Sequence, residues 1–142
     1  MAINVTVYDA KDTSVIVNNT YITGLGEDMI SIEKDEDFFS TSVGAQGDVV
    51  KSQTNNTLGT VTVYVQPTSP QKHFLMGLAK LSDPFPLWCV NKKLGERSGG
   101  TMASLKSFPE ISRGAEAEDM EFVFQVFDLT VANTGLSEKA AA

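Results

Sequence analysis

The run Thr60-Val61-Thr62-Val63-Tyr64-Val65 constrains this chain more than any other stretch. Its three valines share one face and its polar partners the other, a period of two that belongs to a half-buried strand. Met120, Phe122, Phe124 and Val126 repeat the pattern, opposed by Glu121, Val123 and Gln125. After Val126 the register flips, and Phe127, Leu129 and Val131 carry the apolar side; a β-bulge or a sheet-changing bend does this. Two strands with one buried face each need a sheet around a core, so the expected fold class is mainly β.

Shorter signals fit the same class. Val15 and Val17 lead into Asn18-Asn19, two residues tolerant of positive φ, and Tyr21-Ile22-Thr23 returns, which predicts a hairpin over 13–23. Gly24-Leu25-Gly26 breaks the run, and Met29 to Lys34 then alternates with Ile30 and Ile32 inward and Ser31 and Glu33 outward. Leu87 to Val90 reads as a short strand, Asn91 to Gly100 as a polar turn, and Thr101 to Phe108 as a further strand. Ser69-Pro70 fits a helix start, and Phe74, Leu75, Leu78 and Leu81 recur at helical spacing before Asp83-Pro84. One flanking helix over about 70–82 follows. Residues 35–59 hold mostly loop formers, with Val49 and Val50 suggesting a short strand. That is far longer than the usual connection of about 4–6 residues, so a partner is expected for it. The whole chain, 1–142, reads as a single domain, with 135–142 expected to be flexible.

Most routes to chemistry close on inspection. One cysteine, Cys89, leaves no internal disulfide or cysteine zinc site, and one histidine, His73, leaves no multi-histidine centre. Cys89 lies between Trp88 and Val90, where a thiol packs rather than attacks. Gly24-Leu25-Gly26 lacks the third glycine and the helix of a dinucleotide loop, and Asp35-Glu36-Asp37 lacks calcium-loop spacing. No enzyme, cofactor or metal is expected. Trp88, Phe122 and Phe124 are either core or the lining of a small-ligand barrel. The start of the chain has no basic leader and apolar core, and no stretch is long enough to span a bilayer. A reducing cytosol, left only by lysis, is the expected compartment, and the three glycosylation triplets are chance matches.

Charge carries more information. The net charge is −7 and the pI about 4.6, which argues against gripping nucleic acid phosphates. Residues 33–37 and 110–121 hold nine of the eighteen acids, while Lys92, Lys93, Arg97 and Lys106 cluster within 91–106. Two opposed patches on one chain suit contact between copies.

The order of these signals resembles the tail tube proteins of contractile-tailed bacteriophages. The resemblance rests on Tyr21-Ile22-Thr23-Gly24-Leu25-Gly26-Glu27-Asp28-Met29-Ile30, then Glu33-Lys34-Asp35-Glu36-Asp37-Phe38, then Val43-Gly44-Ala45-Gln46-Gly47-Asp48, Gly59-Thr60-Val61-Thr62-Val63 and the Ser-Pro-capped helix. It extends over roughly 13–131. It implies a β-sandwich or barrel-like tube fold with one flanking helix, assembled as hexameric rings stacked into a hollow tube, with neighbouring sheets joined into one barrel wall and 35–59 acting as the stacking loop. It also implies a sheath, baseplate and tail terminator as partners, passage of phage DNA, no membrane, and a place in the virion tail after assembly in the host cytoplasm. Glu27, Asp28 and Glu33 are then candidates for the lumen wall. Asp35, Glu36, Asp37, Gln46, Asp48, Lys92, Lys93 and Arg97 are candidates for contacts between subunits or rings. A negative wall would repel DNA, with one charge per about 1.7 Å of axis, over a range of about 8 Å at physiological salt. A type VI secretion-like tube and a monomeric ligand barrel are the alternatives.

Overall fold

The computed structural model describes residues 3, 5–111 and 113–133. Strands run β1 Thr13–Val17, β2 Thr20–Tyr21, β3 Leu25–Lys34, β4 Phe39–Val43, β5 Val49–Gln53 and β6 Gly59–Val65. After the helix α1 Lys72–Gly77 come β7 Phe85–Asn91, β8 Glu96–Ser107, β9 Met120–Val126 and β10 Thr130–Asn133. The expected flexible tail at 135–142 lies outside the described residues.

Eight strands form one antiparallel sheet in the order β2-β1-β7-β8-β9-β6-β3, with β10 added beside β8. The expected alternation holds in β6 and β9, whose register places Val61 against Phe124, Val63 against Phe122 and Val65 against Met120. All six are buried, and they share one core with Val15, Val17, Leu75, Leu78 and Leu87 from distant strands and the helix. The sheet therefore wraps round its own apolar face in a sandwich-like way. Phe122 and Phe124 fill this core, Phe85 meeting Phe124 edge-on at 6.0 Å. They do not line a ligand barrel with Trp88, which alternates out of the core and lies 3.9 Å beneath the Arg97 guanidinium.

The 13–23 hairpin forms with Asn18 and Asn19 at φ 48 and 65, the twist a two-residue turn needs. Other boundaries move. Gly24, at φ 67, breaks the chain, but β3 starts at Leu25 and carries a bulge centred on Met29, φ 56. The helix is shorter than the apolar stripe predicts. Ser69 Oγ donates to the Thr23 carbonyl and accepts from Gln71 N–H, α1 starts at Lys72, and the chain tightens into a 3-10 turn at Leu78–Lys80. Leu81 is exposed. The polar turn after β7 is confined to 92–95, because Glu96 to Gly100 already pairs with β7. Gly99 sits there at φ 139, so close to the Leu87 carbonyl that no Cβ fits.

The flip after Val126 is a bend. Phe127 and Asp128 form a turn, and β10 takes up the half of β8 that β9 leaves free. Leu129 packs toward the core, but Phe127 and Val131 stay exposed, so the apolar face expected after the flip is only partly used inside the subunit.

Candidate functional site

The stretch expected as a long loop is a β-hairpin arm. β4 and β5 pair with each other over Phe39↔Gln53 to Val43↔Val49 and with no other described strand. Its tip is closed by Gly44 N–H on the Asp48 carbonyl at 2.8 Å and Gly47 N–H on the Gly44 carbonyl at 3.0 Å, with Gly47 at φ 93. Every residue of both strands is exposed. Register puts Phe39, Thr41, Val43, Val49, Lys51 and Gln53 on one face, and Ser40, Ser42, Val50 and Ser52 on the other. Lys51 lies 4.4 Å over the Phe39 ring, which fits that division. The first face carries Phe39, Val43 and Val49 among polar neighbours, and the second is mostly hydroxyl.

The arm's base is held firmly. Lys34 Nζ donates to the carbonyls of Glu36 at 2.7 Å and Asn56 at 3.1 Å, bridging the chain's way out and its way back. Asp35 accepts from Thr60 Oγ1 at 2.6 Å and Gln125 Nε2 at 3.0 Å. These two bonds hold its carboxyl below the usual range, with smaller help from Lys106 and Lys34 against a slight opposing effect of burial. Thr57 Oγ1 donates to the Phe127 carbonyl and Leu129 N–H to the Thr57 carbonyl, tying the returning chain to the β9–β10 bend.

Asp128 organises that bend. Its carboxylate accepts from Met102 N–H at 3.0 Å, Thr101 N–H at 3.2 Å and the Thr101 hydroxyl. Partial burial raises its pKa, but these bonds outweigh that and leave it lowered.

The outer face of the sheet is polar. Rows across the strands read Glu33–Thr60–Gln125–Ser104 and Ser31–Thr62–Val123–Ser107, with Glu121 opposite Tyr64. Glu33 belongs to this face, as period two predicts, and is exposed. Glu27 and Asp28 do not join it. The bulge separates them from Glu33, and they line a groove of about 340 Å³ between β3 and β7–β8, with Ile30, Ile32, Cys89 and Leu94. At the bulge, Asp119 accepts from Glu27 N–H at 3.3 Å and lies so close to Gly26 that a Cβ would collide with its carboxylate.

The contact candidates are spread over several places. Asp35 is engaged at the arm's base, Glu36 and Asp37 follow it there, and Gln46 and Asp48 sit at the tip. Lys92 is exposed in the β7–β8 turn, Lys93 Nζ donates to the Val7 carbonyl at 2.7 Å, and Arg97 stacks on Trp88. Lys106, from the basic cluster, acts on Asp35 within the same subunit. Sequence reasoning did not reach the roles of Lys34, Asp119 and Asp128, because each has a partner 22 to 92 residues away. The bend itself was legible in the register flip after Val126, but not the aspartate that organises it.

Among the described residues, neither Cys89 nor His73 is set up as a nucleophile or base. Burial, with Glu96 second, pushes the Cys89 thiol up, away from a reactive thiolate, and His73 is exposed on α1. Among the described residues, no three His, Cys, Asp or Glu side chains are placed to hold a metal, and no helix is long and apolar enough to cross a membrane.

Comparison with known proteins points one way. Residues 12–132 match the family model described as Bacteriophage PhiTE tail tube protein. No curated protein matches the chain in sequence. Among solved structures, the cryo-EM structure of the anti-feeding prophage cap (AFP tube terminating cap) is similar at 10% identity and TM-score 0.62, covering 94% of this chain and 95% of that one. The extended-state sheath-tube complex of the extracellular contractile injection system PVC contains a chain at 12% identity and TM-score 0.59, covering 85% and 88%. The extended-state PVC sheath/tube terminator contains another at 11% and 0.56, covering 92% and 99%. At these identities the likeness is one of fold.

Proposed function

Because this chain belongs to the Bacteriophage PhiTE tail tube protein family, we propose that copies of it close into hexameric rings and that the rings stack into the conduit of a contractile tail. The family is structural, and the chain is a tail tube protein rather than an enzyme. The observation that carries the finer reading is the arm: two paired strands, exposed along their whole length, on a base pinned by Lys34 and Asp35. An isolated two-stranded hairpin is marginal in water. A firmly rooted hairpin with Phe39, Val43 and Val49 in solvent gains its remaining stability from a neighbour, and stacking of one ring on the next supplies that neighbour.

The polar sheet face carrying Glu33 and Glu121 is the wall of the passage, and phage DNA is the cargo. On a surface rich in hydroxyls and carboxylates, whose nearby Lys106 already acts on Asp35, phosphates find little to hold, so the duplex slides. Sheath, baseplate and terminator proteins complete the tail; the PVC structures named above are a sheath-tube complex and a sheath/tube terminator, which supports this set of partners. The protein works in the virion tail and assembles in the host cytoplasm.

Electron microscopy of the purified protein tests the reading. Six-fold rings and stacked tubes are expected at high concentration, shortened to single rings when Ser40–Asn56 is replaced by a short Gly/Ser linker. A 15.3 kDa monomer at every concentration and salt overturns it.

A further inference from the structure

A second unsatisfied element lies ahead of residue 12, outside the stretch that matches the family. Ile3, Val5 and Val7 alternate with Asn4, Thr6 and Tyr8, the same period of two that marks β6 and β9. Ile3, Val5 and Val7 are 85%, 82% and 66% exposed, and no described strand pairs with residues 5–8. The root of the segment is fixed, since Lys93 Nζ holds the Val7 carbonyl at the β7–β8 turn. Residues 3–8 carry no charge. An uncharged, alternating segment with three aliphatic side chains in water is a strand without a sheet.

The fold also contains a sheet without its last strand. β3 ends the eight-stranded sheet with β6 as its only described neighbour. Its first half is protected by the Met29 bulge and by Glu27 and Asp28, two ordinary ways of blocking an edge. Ile30 to Lys34 lacks such protection: its register with β6 is regular, and no described strand pairs with its other edge. Ile30 and Ile32 are only half-buried, and with Met29, Leu94 and the same copy's Tyr8, whose segment passes the mouth without pairing, they face the groove of about 340 Å³. A strand added along this edge, with its apolar residues on the same side as Ile30 and Ile32, would cover both isoleucines and fill the groove. Six residues span about 20 Å, enough to run the length of Ile30–Lys34.

We propose that residues 3–8 of one copy pair, as an added strand, with the free edge of β3 in a second copy. The proposal rests on the tube reading and deepens it by naming the segment that joins neighbouring sheets. The donated segment and the receiving edge are different parts of the chain, so a strand passed from each copy to the next makes a head-to-tail contact that can close into a ring.

The test uses full-length protein with Cys89→Ser, because Cys89 lines the groove. Val5→Cys protein is mixed with Ile30→Cys or Ile32→Cys protein under mild oxidation, with Leu81→Cys as an exposed control. Disulfide-linked heterodimers with the β3 variants and not with the control are expected; mixing two single-cysteine chains reports pairing between copies only. In parallel, Ile3→Asp/Val5→Asp/Val7→Asp should keep the melting temperature of the free subunit. It should raise the concentration needed for ring formation about 100-fold or more, since three aliphatic contacts become buried charges. If wild-type protein forms tubes, the triple variant forms them equally well and no heterodimer appears, the donated strand is overturned and the tube reading stands. If wild-type protein forms no tubes, the tube reading is overturned, while the heterodimer still decides whether the segment pairs with β3.

Discussion

The β6–β9 pair and the β4–β5 arm are both antiparallel ladders with regular register, yet they are stabilised in opposite ways. Along β6 and β9 every second residue is buried, and Val61, Val63, Phe122 and Phe124 are wholly shielded from water. Along β4 and β5 no residue is even half-buried. The hydrogen bonds are of the same kind in both, and each contributes only about 1 kcal/mol net. Burial makes the difference, at about 25 cal/mol per Å² of apolar surface. The subunit supplies that burial for β6–β9 itself and not for the arm, where on the proposed tube reading another copy would supply it. A pairing pattern alone therefore does not say where the stability of a strand comes from.

Four changes probe this contrast, in falling order of their effect on the free subunit. Phe122→Ala should cost about 3–5 kcal/mol by opening a cavity in a filled core, read as a large fall in urea midpoint. A loss under 1 kcal/mol would mean that the β6–β9 core is less tightly packed than its burial indicates. Asp128→Ala removes the acceptor for Thr101 and Met102 at the β9–β10 bend, and about 1–2 kcal/mol should be lost. Loosening there should also reach the arm, whose base is tied to Phe127 through Thr57.

Val43→Asp/Val49→Asp on the arm should change subunit stability by no more than about 0.5 kcal/mol, because both side chains are already in solvent. The same variant should fail to elongate tubes in light scattering. If it unfolds the subunit instead, the arm belongs to the core. The smallest effect concerns Asp35. Its folded pKa lies below the ordinary 3.8, so its contribution is present above that value and lost as pH falls through the lower folded value. The carboxylate is exposed, and a few tenths of a kcal/mol is the expected size. Urea titrations at pH 7 and pH 2.5 should show a slightly smaller acid loss in Asp35→Asn than in wild type; an unchanged loss removes Asp35 from the clamp.

The same contrast explains what could be read from sequence. β6 and β9 were legible because burial within the subunit writes a period of two into the residues. Of the arm only the strand at Val49 and Val50 was legible; Phe39, Thr41 and Val43 alternate with serines, a pattern too polar to signal its partner. The helix looked too long because Leu78 and Leu81 continue the stripe, whereas the backbone tightens after Gly77 and leaves Leu81 in water. Gly99 and Gly100 made the start of β8 look like a turn; close approach by the Leu87 carbonyl and Asp128 is what excludes a side chain there. Glu33 was placed on the polar face by counting, but the bulge at Met29 shifted Glu27 and Asp28 elsewhere, and a bulge leaves no fixed mark in sequence.

Amide hydrogen exchange, measured on the free subunit and on assembled protein, tests the central contrast most directly. Amides of Phe39–Val43 and Val49–Gln53 should exchange rapidly in the free subunit and slow by orders of magnitude on assembly, while those of β6 and β9 stay protected in both. Equal exchange of the arm in the two states would contradict the account, because the arm would then need no neighbour.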